Sequence, residues 1–387
     1  MFRNLQFHSN LLLETKFLRN RFNFTKKHLQ CTPTNVYLCQ TRTLCVSSVP
    51  DAHVDRLMKG LLLHQRSTLA ESITLVESIH PVKKKQAKLL LSSILSRFKS
   101  KEIETSSTSS FSFRIGLSGP PGAGKSTFIE AIGKFLTAQG HKVAVLAVDP
   151  SSSTTGGSLL GDKTRMHELT RDPNAFIRPS PASGHLGGVT RTTNESIVLC
   201  ETAGYDIIIV ETVGVGQSEF KVADMVDMFC LLIPPAGGDE LQGIKRGIVE
   251  LSDLIIVNKA DGDLIPAARK IQTEYSSALR LMRPKTKFWR PKVKRVSSVT
   301  KTGLIELWDE IEDFRDIMIE NNQLHQRRSQ QRRVWMWNYI NENILELFRN
   351  HPSIKESISN LEKDVISGKI MPGNAADLLI SKFLDNS

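Results

Sequence analysis

Hydrophobic positions change their spacing twice along this chain. From Val54 to Phe98 they recur at helical intervals, at Leu57, Leu61, Ile73, Val76, Ile79, Leu89 and Ile94, and Pro81 divides the stretch into a pair of expected helices. From Phe113 onward the helical spacing gives way to short apolar runs: Phe113 to Leu117 (interrupted by Arg114), Val143 to Val148, Ile207 to Val210, Met228 to Ile233 and Leu254 to Val257. Runs of that length, bounded by Gly, Asp or Asn, mark strands buried on both faces of a parallel sheet. After Gly303 helical spacing returns. It continues through Asn321 to Arg333, dense in Gln and Arg, and then Val334 to Phe348, with Trp335, Trp337, Ile340, Ile344, Leu345 and Phe348. The expected fold class is α/β, a mostly parallel doubly wound sheet with helical extensions at the N- and C-terminal ends. The expected divisions are a leader over 1–50, an N-terminal helical extension over 51–104, a nucleotide domain over 105–318 and a C-terminal helical arm over 319–387.

The first apolar run leads into the candidate chemistry. Gly119-Pro120-Pro121-Gly122-Ala123-Gly124-Lys125-Ser126-Thr127 lies between an expected strand and an expected helix, the context a phosphate-binding loop requires. Glycines let backbone N–H groups wrap closely around phosphate oxygens. In that role Lys125 neutralises the β- and γ-phosphates and the Ser126 hydroxyl ligates Mg²⁺. The expected fold is thus that of a P-loop NTPase.

The base is addressed by Asn258-Lys259-Ala260-Asp261, at the end of the Leu254 to Val257 run. A carboxylate at Asp261 can accept from the N1–H and exocyclic amine of guanine. Adenine offers no such donor pair, so this loop selects GTP over ATP. Asn258 is expected to hold neighbouring backbone, and the Lys259 stem to lie over the base. Ser297, Ser298 and Val299, after another short apolar strand, form the candidate third guanine loop.

Two further strands end in acids, Asp149 and Glu211. Ligands of doubly wound sheets lie beyond the carboxyl ends of the strands, so both carboxylates are expected to face Mg²⁺ and the γ-phosphate. With Lys125 they make up the expected catalytic set, completed by Gly214, whose N–H is placed to sense the γ-phosphate. The polar stretch from Pro150 to Ala203 is expected to be a switch segment, with Asp162, Lys163 and Arg165 as its charged candidates. The Pro234 to Arg246 loop is a candidate third mobile element. The familiar water-aligning Gln directly after the switch glycine is replaced by Val215, and the nearest Gln is Gln217. Slow intrinsic hydrolysis is expected, or a catalytic group supplied by motion or by a partner.

Charge changes the picture at one end only. Residues 1–50 hold seven Lys or Arg, one Glu and no Asp, so they carry +6 of the total +11 and leave +5 for the rest. A basic, acid-poor opening rich in Leu, Phe, Ser and Thr fits a mitochondrial transit peptide. The remaining charge makes no case for nucleic acid, and no apolar run is long enough to span a membrane. Cys31, Cys39 and Cys45 fall in the leader, while Cys200 and Cys230 sit in apolar surroundings expected to bury them.

The strings Val148-Asp-Pro-Ser-Ser-Ser153, Gly161-Asp-Lys-Thr-Arg-Met166, Glu211-Thr-Val-Gly-Val-Gly-Gln-Ser-Glu219 and Gly238-Asp-Glu-Leu-Gln-Gly-Ile-Lys245 add a resemblance. The chain is similar, over about residues 55–385, to the G protein chaperones of methylmalonyl-CoA mutase, found in bacteria and mitochondria. That resemblance implies a homodimeric P-loop GTPase of the mitochondrial matrix. Its implied role is to couple GTP binding and hydrolysis to loading adenosylcobalamin into methylmalonyl-CoA mutase and protecting it, with the cobalamin adenosyltransferase as a further partner. It also implies that Asp149, Asp162 and Glu211 belong to the Mg²⁺ and switch elements, and Gly238 to Lys245 to a partner-responsive switch. The Asp-x-His-x-x-Gly signature for grasping cobalamin is missing, since Asp51-Ala-His53 is followed by Val-Asp-Arg56. A nickel metallochaperone G protein and a P-loop kinase share the nucleotide core and stay open as alternatives; scattered His residues disfavour the first, and the guanine loop the second.

Overall fold

The computed structural model describes residues 51–104, 112–148, 166–179, 186–212, 218–235 and 246–385. The described residues all belong to one compact unit, Ser48–Ser387.

This unit opens with α1 (Ala52–Leu62), α2 (Arg66–Glu77) and α3 (Pro81–Glu104). Then β1 (Phe113–Ser118), α4 (Lys125–Ala138), β2 (Val143–Val148), α5 (His167–Arg171), β3 (Ala175–Arg178) and α6 (Leu186–Thr202) follow. Next come β4 (Ile207–Thr212), α7 (Ser218–Ala223), β5 (Met228–Ile233), α8 (Arg246–Leu251), β6 (Leu254–Val257), α9 (Ile265–Leu281) and β7 (Lys292–Arg295). The chain ends in α10 (Leu304–Glu320), α11 (Gln323–Asn350), α12 (Pro352–Ile366) and α13 (Pro372–Asp385). The strands form one parallel sheet in the order β3-β2-β4-β1-β5-β6-β7.

Alternate residues of β2, β3, β4, β5 and β6 feed two cores. Val143 and Val145 of β2 join Ile129 and Leu136 of α4 and Leu307, Ile311 and Phe314 of α10. Ala144, Leu146 and Val148 face the other way, toward Leu57, Leu61, Ile73 and Leu90 of the N-terminal helices and Ile197 of α6. A strand buried on both faces has no polar side to show, which is why its sequence is an unbroken apolar run.

Three expectations are corrected. The Val54 to Phe98 stretch is three helices, because His64 adopts a left-handed φ of 57° between α1 and α2. Its ring Nδ1 lies 2.7 Å from the Ala203 carbonyl. The Pro150 to Ala203 stretch contains α5, β3 and α6 as well as residues outside the description. The strand before Ser297 is Lys-Val-Lys-Arg, a charged edge strand whose Lys294 pairs with Glu310 at 2.7 Å. Asn321 to Phe348, expected to be helical, falls mostly in one unbroken helix, α11.

At the amino ends of the strands, ion pairs fasten α11 to the sheet. Arg328 Nε donates to Asp227 at 2.8 Å, and its NH2 donates to the Ser112 carbonyl at 2.6 Å. Arg327 bonds Asp253 at 3.1 Å, Gln331 donates to the Val226 carbonyl at 2.7 Å, and Arg114 pairs with Glu201 at 2.8 Å. Burial alone would raise the Asp227 and Asp253 carboxyls, but the facing guanidiniums of Arg328 and Arg327 win and hold both below the usual range.

Candidate nucleotide site

The phosphate loop is shaped by steric necessity. Gly122 and Gly124 have φ of 79° and 86°, a region where a side chain is strained. A Cβ on Gly119 would meet the Leu232 carbonyl oxygen at 2.1 Å, so the loop can pass β5 only as glycine. Gly124 sits at the N-cap of α4 and offers no capping side chain, so the first-turn N–H groups of Lys125, Ser126 and Thr127 stay open to an anion. Lys125 folds back over the loop, donating to the carbonyls of Gly119 at 2.8 Å and Pro120 at 3.3 Å. Burial pulls its pKa down, while the charges of Glu211 and Glu219 pull it up.

The loop after β6 is tied to this one. Asn258 is 1 % exposed. Its Nδ2 donates to the Ala123 carbonyl at 3.0 Å, and its Oδ1 accepts from the Ser298 hydroxyl at 2.7 Å. One amide thus joins the phosphate loop to two later loops. A Cβ on Gly124 would fall 2.8 Å from that amide, which adds a second reason for glycine there. Lys259 takes a φ of 57°, and its stem lies beside Gly124, with Cε 3.7 Å from the same notional Cβ. The Ala260 N–H donates to the Val296 carbonyl at 3.0 Å, and the Ser297 hydroxyl donates to the Asp261 carboxylate. Asp261 is half-buried, Ser297 and Ser298 are buried, and Val299 is exposed.

Glu211 is 4 % exposed near the end of β4, in register with Leu117 of β1. The next residue, Thr212, donates its hydroxyl to Ser118 at 3.1 Å. Asp149, Asp162 and Gly214 lie outside the described residues, as do Val215, Gln217 and Gly238 to Lys245. Lys125, Ser126, Glu211, Asn258, Lys259, Asp261, Ser297, Ser298 and Val299 are all found on loops or element ends at the carboxyl edge of the sheet. Sequence reasoning assigned no role to Glu219. It lies in the first turn of α7, 4 % exposed, and its charge is felt by Lys125. The signal for it was its place in the Glu211 to Glu219 string.

The family model described as methylmalonyl-CoA mutase-associated GTPase MeaB matches residues 69–353. The chain belongs to the MeaB family of GTPases. It is 59% identical over 353 residues to the Mus musculus protein "Methylmalonic aciduria type A homolog, mitochondrial", covering 88% of this chain and 85% of that one. It is 47% identical over 298 residues to the Escherichia coli GTPase ArgK, covering 77% of this chain and 86% of the relative. Among solved structures, "Crystal structure of LAO/AO transport system kinase" superposes with a TM-score of 0.66 at 35% identity, over 88% of this chain and all of that one (100%). The P-loop α/β fold expected from the sequence is the fold of this family.

Proposed function

We propose that this MeaB-family GTPase is a chaperone of methylmalonyl-CoA mutase, using GTP binding and hydrolysis to gate adenosylcobalamin loading and to protect the mutase. The nucleotide half of that reading is carried by Asn258, whose amide bridges the phosphate loop and the Ser298 loop and so holds the phosphate and guanine ends of one ligand in register. The mutase half is supported by the family description and by the similarity to the mouse protein. Work in the mitochondrial matrix, as a homodimer and beside the cobalamin adenosyltransferase, belongs to the same proposal.

In this reading Asp261 accepts from guanine, Ser297 orients that carboxylate, and Lys259 covers the base. The Lys125 ammonium moves from the Gly119 and Pro120 carbonyls to the β- and γ-phosphates, a short swing because it already lies over the loop. Mg²⁺ in such sites is held by few protein ligands together with phosphate oxygens and water. The Ser126 hydroxyl and the Glu211 carboxylate, both at element ends beside the loop, fit that need, and Asp149 and Asp162 are the further candidates. No group of three His, Cys, Asp or Glu able to cage a metal occurs among the described residues. When bound, Mg²⁺ offsets charge on the transferring phosphoryl group.

The deciding measurement is GTP turnover by the chain from residue 51 onward, alone and with excess methylmalonyl-CoA mutase, with ATP as control. Slow, GTP-selective hydrolysis that speeds up with the mutase supports the proposal. Turnover indifferent to the mutase removes the client and leaves the GTPase. Because one solved relative is titled a kinase, γ-labelled GTP is included, and label recovered on protein or a small acceptor would overturn simple hydrolysis.

A further inference from the structure

Away from the nucleotide edge, a cleft of about 290 Å³ gathers positive charge. It is lined by Arg280, Arg283, Lys285, Arg290 and Lys292, against one carboxylate, Glu250. Strand register places it. Lys292 starts β7 opposite Leu254, the start of β6, while Asn258 and Ser297 lie beyond the other ends of the same strands. The cleft is therefore at the amino edge of the sheet and shares no residue with the nucleotide loops.

Two of its cations are committed. Lys285 donates to the Leu251 carbonyl and to Asp253 at 3.2 Å, and Lys292 pairs with Glu310. Among the described residues, no hydrogen bond or ion pair holds Arg280, Arg283 or Arg290. Arg280 lies in the last turn of α9, where a cation also offsets the helix carbonyls, so it has a structural reason to be there. Arg283 and Arg290 stand beyond the helix and have none. The apolar part of the lining includes Leu279, Met282 and Val293.

The geometry points to a second anion site, for a small organic phosphate. Guanidiniums bind phosphate through paired N–H bonds, and the apolar lining can take the carbon part of the ligand. The volume lies at the small end of the range for ligand sites. Asp253, which holds Lys285, also holds Arg327 of α11, so an anion in this cleft sits next to the ion pairs that fasten the C-terminal arm.

The test uses the full chain saturated with GDP, which fills the phosphate loop, titrated calorimetrically with phenyl phosphate and, as control, phenol. Saturable one-to-one binding of phenyl phosphate is expected, with a dissociation constant below ~1 mM. The Arg283→Gln/Arg290→Gln pair should weaken it about tenfold or more while leaving GDP affinity unchanged. Should the pair melt early, Arg290→Gln alone should show a smaller loss in the same direction. Heats that fail to saturate, equal binding of phenol, or undiminished binding by the variants would overturn the assignment.

Discussion

The two edges of this sheet are both polar, yet they are built from different materials. At the carboxyl edge the loops are held by neutral bonds: Asn258 to the Ala123 carbonyl, Ser298 to Asn258, Ala260 to Val296. At the amino edge charge is set against charge: Asp227 on Arg328, Glu201 on Arg114, Asp253 on Arg327 and Lys285. The charged groups there bond only to neutral partners, Lys125 to two carbonyls and Asp261 to the Ser297 hydroxyl, so both can be turned to a ligand. The buried ions of the opposite edge are saturated by one another and cement an arm to a core. A buried charge marks a ligand site only once its partners have been counted.

The sharpest way to break that contrast is to unpair a charge at the amino edge. Arg328→Ala strands the fully buried Asp227 carboxylate and should cost about 3–5 kcal/mol of stability. The folded fraction should still bind GTP normally, and denaturant melts with and without nucleotide check both points. The pH dependence has a definite sign. In the parent, Asp227 is held below its ordinary value of 3.8, so its contribution is complete above that value and drains away as pH falls through the depressed one. Without Arg328, burial dominates and raises the carboxyl, so the stability gap between variant and parent should narrow from pH 7 to pH 5. A gap that stays constant would mean that Asp227 finds another cation.

At the carboxyl edge, removing a charge should spare the fold and stop the chemistry. Lys125→Ala is expected to lower GTP turnover by about 10²–10³-fold, the loss typical of one donor to a developing charge. Its unfolding midpoint should not fall, because the residue's bonds to Gly119 and Pro120 carry a cation whose burial is itself unfavourable. A large loss of stability would place Lys125 with the structural ions instead.

Legibility in the sequence follows the same division. β2, β4, β5 and β6 are apolar runs because both their faces are covered; β1 reads as one except at Arg114, whose charge is paired with Glu201. β3 was missed because its apolar run, Ala175 to Ile177, is cut short by Arg178 inside a polar stretch, and β7 is a strand only by pairing with β6. α6 was hidden by Gly187, Gly188 and a row of Thr, weak helix formers; tertiary burial of Ile197, Leu199 and Cys200 holds it. The nucleotide loops were legible because their backbone leaves few residue choices. The Arg328 to Asp227 pair was not, because its members are distant in sequence and spacing carries no trace of them, and Glu219 left only its place in the Glu211 to Glu219 string.

A gentler test concerns base choice. Asp261→Asn replaces an acceptor pair with one donor and one acceptor, which mismatches guanine and suits xanthine. GTP binding should weaken by about 1.5–3 kcal/mol, with xanthosine triphosphate gaining relative to it. Ser297 donates to this carboxylate and can donate equally to the amide oxygen, so the loop should keep its shape. Unchanged base preference in a competition assay would show that Asp261 does not meet the base.

The smallest effect on the fold is expected where the arm leaves the core. Arg327, Arg328, Gln331 and Trp335 anchor the first half of α11, Trp335 by donating its indole N–H to the Asp224 carbonyl at 3.0 Å. Beyond them Trp337, Ile344, Leu345 and Leu347 are more than half exposed, an apolar surface that the chain's own core does not cover. Trp337→Ser should therefore change monomer stability by less than ~0.5 kcal/mol. If the homodimer proposed above uses this surface, the same change should shift sedimentation from dimer toward monomer, since a buried Trp is a common anchor of such interfaces. Loss of stability without a change in association would place Trp337 among the cis contacts, beside Tyr339, which already meets Asn194 and Arg191.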